Sequence, residues 1–318
     1  MAIQINPQEI HLLERYSSLE YFAELRDTWG KMVRHVESCL QLYLSNLPSK
    51  YRSMPLSEQP DIVWDHRILP NFRDTLKGLC TGFIMLSHGD ADGLRYAHGP
   101  VNDAIGQRRD YSTDWMSVEE REFYDRLLTE AAKRAGYITA TEGAYWRPLE
   151  LSNYLDLTEP LDLPGQWPAY RVNQKISVQT GAKTPQNGIY VPDLPNSCAQ
   201  FLSANHTQAP QAYVIAGFRD LLDPKDLRKY GEEPCLEKKD CTWYLVERAQ
   251  DSYETQKYEA INSAQLVRVA AGQSCPEAGF YFTPARLDSR KLFKKGDVMP
   301  ELGTEYGATI WQRDVNQS

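Results

Sequence analysis

Apolar residues recur at intervals of three and four through the first part of the chain. In SSLEYFAELRDTWGKMVRHVESCLQLYLSNLP (17–48), Leu19, Phe22, Leu25, Trp29, Met32, Val36, Cys39, Tyr43 and Leu47 fall on one helical stripe. Ser17 or Ser18 can cap its start and Pro48 ends it, so residues 8–46 read as largely helix, most simply one long amphipathic helix. A second helical pattern, PNFRDTLKGLCTGFIMLSHGD, runs to a break at Gly89 and Asp90. A third opens at Ser117, with Glu120 three residues on as in a capping box and Gly136 as its expected C-cap.

After about residue 150 the pattern changes. LTEPLDLPGQWPAY is dense in Pro and Gly, and the runs RVNQKISVQT, QAYVIAGF, TWYLVERA and AQLVRVAAG are short and β-rich. Between them, FRDLLDPKDLRKYG shows no alternation and reads as a short helical insertion. The expected fold is α+β: an antiparallel helical domain over 1–150, then a mainly β domain over 151–318.

The β part contains an approximate repeat, 178–201 and 269–293. VQTGAKTPQNGIYVP (178–192) aligns with VAAGQSCPEAGFYFTP (269–284), placing Val178, Gly181, Pro185, Gly188 and Tyr190 each 91 residues before Val269, Gly272, Pro276, Gly279 and Tyr281. One inserted residue would then bring Pro192 onto Pro284, Ser197 onto Ser289 and Phe201 onto Phe293. Gly supplies positive φ and Pro presets a turn, so the shared G-x-x-x-P-x-x-G-x-Y reads as strand, tight turn, strand.

Composition narrows the function classes. At 42% apolar and 25% charged the chain has ordinary globular content, and no run of about 18 or more apolar residues spans a membrane. The start MAIQINPQEIHLLERYSS lacks the features of a secretory signal, which points to a cytoplasmic protein. The six scattered cysteines fit reduced thiols in that compartment, and Cys235 and Cys241 are the one close pair. A net charge of −8 disfavours nucleic acid, whose phosphates need Lys and Arg, and leaves open a role as acidic partner to a basic protein.

Candidate chemistry concentrates in SHGDADGLRYAHGPVNDAIGQRRDYSTDW. His88, Asp90, Asp92 and His98 are residue types that hold a divalent ion, as a metal-dependent hydrolase requires. The same residues suit a helix end and surface loop, and no calcium-loop Glu follows. No Gly-x-Ser-x-Gly, Walker loop, dinucleotide fingerprint or His-Glu-x-x-His is present. Cys275 with His206 could form a thiol and base, but Cys275 sits among repeated turn residues with Thr184 as its counterpart, which favours a structural thiol. The basic run Arg286, Arg290, Lys291, Lys294 and Lys295 reads as a solvated face, diluted by Asp288 and Asp297, rather than a phosphate clamp. Trp115, Trp146, Trp167, Trp243 and Trp311 are core or interface anchors, with core the default.

Several stretches together carry a family resemblance: LPNFRDTLKGLCTGFIMLSHGDADGLRYAHG, GQRRDYSTDWM, GQSCPEAGFYFTPA, SRKLFKKGDVMP and YGATIWQRD. In these the chain resembles the immunity proteins of bacterial polymorphic toxin systems, families seventy-one and seventy-two, often found beside type VI secretion effectors. The resemblance implies a cytoplasmic antidote that binds one cognate toxin effector domain and blocks it, with no turnover of its own; no metal and no cofactor are expected. For a nuclease toxin with a basic groove, the expected contact is the loop with Asp90, Asp92, Asp103, Asp110 and Asp114. For an acidic toxin surface it is the repeat face near Tyr281, Arg286 and Trp311. The rival readings are a hydrolase or modification-reversing enzyme using His88, Asp90 and Asp92, and a β-module that scaffolds a secretion assembly.

Overall fold

The computed structural model describes residues 3–152, 168–205, 208–222, 225, 229–249, 268–283, 289–302 and 309–314. The fold is α+β, with helices first and antiparallel sheets after them. The 8–46 pattern is two helices rather than one, α1 (Pro7–Tyr16) and α2 (Leu19–Ser45). Ser17 bonds back to Leu13 O, and the Ser18 hydroxyl accepts from Tyr21 N to start the next helix. A π-helical segment, Asp61–Ile68, runs into α3 (Leu69–Ser87), which ends where Gly89 takes φ +82°.

A 3-10 stretch, Ala91–Ala97, then leads into α4 (His98–Asp110). Its backbone presses on α3 so closely that a Cβ on Gly93 would lie 2.3 Å from Gly82 O, and one on Gly82 would lie 2.6 Å from Gly93 O. The last helix, α5 (Val118–Glu142), opens with the Ser117–Glu120 capping box. It does not stop at Gly136. It continues to Gly143, because Ile138 and Thr141 are fully buried and the packing outweighs one poor helix former.

The strands are β1 (Tyr170–Gln179), β2 (Gly188–Pro192), β3 (Gln200–Leu202), β4 (Ala212–Leu222), β5 (Lys229–Lys239), β6 (Thr242–Arg248), β7 (Arg268–Ala270), β8 (Gly279–Phe282), β9 (Lys291–Phe293) and β10 (Ile310–Arg313). They form two four-stranded antiparallel sheets, ordered β1-β6-β2-β3 and β7-β10-β8-β9, and a separate β4-β5 hairpin. Its strands take up residues 218–222 and 229–231 of the helical insertion expected at 218–231, whose residues 223, 224 and 226–228 lie outside the described residues. Arg219 lies opposite Glu233 and forms an ion pair with it, and Lys229 bonds Asp220 at 2.7 Å, so charges that follow no alternation in sequence are matched across strands.

The chain divides into compact units 1–249 and 250–318 rather than at residue 150. Within the first unit, helices and sheet share one core: Ile189, Val191, Phe201 and Val246 pack with Leu12, Leu13, Tyr16 and Trp29. Gln200 Nε2 donates to Trp146 O at 2.6 Å, stitching β3 to the segment after α5. The opposite face of that sheet buries Val178, Tyr190, Leu202, Trp243 and Leu245 in a second cluster.

The two four-stranded sheets are copies of one module. Val178 pairs with Trp243 as Val269 does with Trp311. Tyr190 Oη donates to Gln186 O at 2.8 Å and Tyr281 Oη to Glu277 O at 2.9 Å. Trp243 Nε1 donates to Pro210 O at 2.8 Å and Trp311 Nε1 to Pro300 O at 2.9 Å. Gly181 and Gly272 turn with φ +83° and +82°, a region that favours glycine, and each donates its N–H at 2.8 Å, to Ala209 O and Met299 O.

The sheet register corrects the alignment at its end. Gly188 pairs with Leu202 and Gly279 with Phe293, so Leu202, not Phe201, is the counterpart of Phe293, and no inserted residue intervenes. The copies differ where 33 residues separate Pro210 from Trp243 but only 11 separate Pro300 from Trp311. The β4-β5 hairpin fills the longer interval.

Candidate functional site

The candidate residues that the structure describes take separate structural roles within their own units. Asp90 caps the 3-10 stretch, accepting from Asp92 N and from Asn205 Nδ2, both at 3.1 Å. Asp103 ties α4 to α3, accepting from Thr75 Oγ1 at 2.6 Å and Asn71 Nδ2 at 2.7 Å; burial nevertheless raises its pKa. Asp92 is half-buried on the same 3-10 stretch. Asp110 is the last residue of α4, and its side chain, like all of Arg286, lies outside the described residues. Tyr281 and Trp311 are fully buried in the second module with Val269, Cys275 and Phe293, so they hold its core and present no side chain to a partner.

The metal reading finds no geometry among the described residues, where no three His, Cys, Asp or Glu side chains gather as ligands. His88 Nδ1 lies 2.7 Å from Ile84 O at the end of α3, and since a carbonyl only accepts, that nitrogen carries the proton. His98 Nε2 is 3.1 Å from Glu142. All six cysteines are free, and Cys235 is exposed while Cys275 is buried with its thiol on Glu277 O at 2.9 Å. His206 lies outside the described residues.

Asp114 borders a cavity of about 410 Å³ between the end of α2, the π-helical segment and the loop before α5. Aromatic residues line part of it, Tyr43 from α2, Trp64 from the π-helical segment, and Tyr111 and Trp115 from the loop, beside Met54, Pro60 and Val63. Trp115 meets Tyr43 at 5.8 Å between ring centres and 74°, and Trp64 at 5.4 Å and 67°. Such edge-to-face contacts are the favoured geometry for ring pairs, and they set neighbouring walls at steep angles. π-helical turns are energetically poor and gather at functional sites; this one carries Val63 and Trp64 to the cavity.

Local bonds hold these walls. Trp64 Nε1 donates to Ser112 O at 3.2 Å, and the Ser112 hydroxyl donates to Asp114 Oδ2 at 2.7 Å. Behind Tyr43, Tyr51 donates to Asp61 Oδ1 at 2.5 Å, and Arg52 pairs with Asp61 Oδ2 at 2.6 Å. Burial and then the Asp61 bond push the Tyr51 hydroxyl up to about 12. Burial works to raise Asp61, but the Tyr51 hydroxyl and Arg52 overcome it and hold that carboxyl below its ordinary value. The Trp115 indole N–H is buried and meets no acceptor among the described residues. Glu58 and Asp114 add carboxylates to the lining, and Asp114, 85% exposed, also meets Arg121 at 3.2 Å.

Sequence reasoning named Trp115 and Asp114 but missed Tyr43, Glu58, Trp64 and Tyr111. These come from segments up to about seventy residues apart, and Tyr43 reads in sequence as one more position on the α2 stripe. A second cavity in the first unit, of about 770 Å³, lies beside α1 and β2 and contains Glu9 and Cys198. Glu9 accepts from Ala199 N at 3.3 Å, so its carboxyl serves to join helix and sheet. No family model, curated protein or solved structure matches the chain.

Proposed function

We propose that this chain is a cytoplasmic immunity protein, which captures one cognate toxin effector domain of a polymorphic toxin system and blocks it by occupying it. The observation that carries this reading is the aromatic-walled cavity with Glu58 and Asp114 in its lining. Trp and Tyr dominate the energetic centres of protein interfaces, because they offer large rigid surfaces at small entropic cost. Carboxylates around them complement a basic surface and speed encounter with it, and a net charge of −8 acts in the same direction.

Inhibition by occupation needs no catalytic group in the antidote. A toxin whose substrate groove is basic would meet this face in place of its substrate. Where the adjacent gene encodes a toxin, the test is capture of that toxin, inactivated at its own active site, by the full-length chain. A tight one-to-one complex that abolishes toxin activity only at equimolar protein is the expected result. Protection at substoichiometric amounts, or no complex, would overturn the reading.

A further inference from the structure

We infer that the cavity at Tyr43, Trp64 and Trp115 is an anchor site for one arginine side chain carried on a partner's peptide backbone. This rests on the capture reading and specifies its chemistry. Two features select the ligand. Aromatic walls attract a cation through the ring quadrupole, and a guanidinium, planar and weakly hydrated, stacks on such rings better than an ammonium does. Glu58 and Asp114 supply carboxylates, which guanidinium meets with paired hydrogen bonds.

The capture reading supplies the peptide: a toxin domain carries its arginines on a backbone, so the ligand is an arginine within a chain rather than a free cation. The same chemistry occurs next to the cavity within this protein: Arg52 lies 4.9 Å over the Tyr51 ring and pairs with Asp61 at 2.6 Å. Asp114 is shared with Arg121, whereas Glu58 makes no ion pair among the described residues, so Glu58 is the carboxylate available to an incoming guanidinium.

The experiment uses the full-length chain labelled with ¹⁵N and three probes: the N-acetyl, N-methylamide derivatives of arginine, lysine and citrulline. Citrulline keeps the shape of arginine and lacks its charge. The Trp115 indole N–H signal, identified by its loss in Trp115→Phe, should shift on titration with the arginine probe and saturate. The citrulline probe should bind about ten-fold more weakly, with lysine between them. Glu58→Gln, an exposed change that keeps the fold, should weaken the arginine probe several-fold and leave citrulline unchanged. Equal binding of arginine and citrulline, or shifts that spare Trp115, would overturn the assignment.

The toxin separates this proposal from the reading it rests on. A complex of unchanged affinity with both Glu58→Gln and Trp115→Phe overturns the arginine site and leaves capture standing. A chain that takes the arginine probe but no toxin supports the site and overturns capture.

Discussion

Glu9 allows a test of the energetics that join helix to sheet. It lies on α1, 7% exposed, with Ala199 N as its backbone donor. Burial raises its pKa from 4.5 to about 7, against the opposing bonds from Ala199 and Ser152. A carboxyl whose folded pKa lies above its unfolded value favours the folded state most below the unfolded pKa, and that contribution is lost as pH rises through the folded one. The window is therefore about pH 4.5 to 7. The shift corresponds to about 3 kcal/mol of stability lost across it, as an upper value. Glu9→Gln keeps an acceptor for the Ala199 N–H and cannot ionise. Urea unfolding followed by helical circular dichroism at several pH values should show the variant overtaking the natural chain as pH rises, by up to about 3 kcal/mol at pH 8. Burial lowers the pKa of His11, which adds stability in the opposite direction as pH rises, but His11 is present in both proteins and cancels in their difference. Parallel stability curves for the two proteins would refute the reasoning.

Gly93→Ala would place a Cβ 2.3 Å from the Gly82 carbonyl, a backbone atom that cannot swing away, and should cost about 1–3 kcal/mol in the same assay. Trp311→Ala empties the core of the second module and should destabilise that unit by about 3–5 kcal/mol, read by exchange of β7–β10 amides, while the helical transition of the first unit stays in place. Thiol labelling at pH 8 should be fastest at the exposed Cys235 and lose its fast phase in Cys235→Ser, since Cys39 and Cys198 are buried and burial pushes the Cys39 thiol up to about 12.

Local chemistry was legible in the sequence wherever a few neighbouring residues complete an interaction. The Ser18 cap, the Ser117–Glu120 box and the turns at Gly181 and Gly272 each close within one turn of chain, so residue type and spacing suffice to specify them. The repeat was visible for the same reason, its glycine, proline and tyrosine positions being tied to one turn and one hydrogen bond per copy. Tertiary contacts decided the rest. Packing of Ile138 carried α5 past Gly136, cross-strand pairing took 218–222 and 229–231 into β4 and β5, and Ile189 and Val191 drew the first sheet into the helical core, moving the division of the chain to residue 249. Tyr281 and Trp311, candidate contacts by residue type, were taken into a core because strand register puts them on the face shared with Val269 and Phe293. The cavity depended on tertiary structure in the same way: Tyr43, Trp64 and Trp115 occupy three separate elements, and only their packing brings an aromatic wall and a carboxylate to the same place.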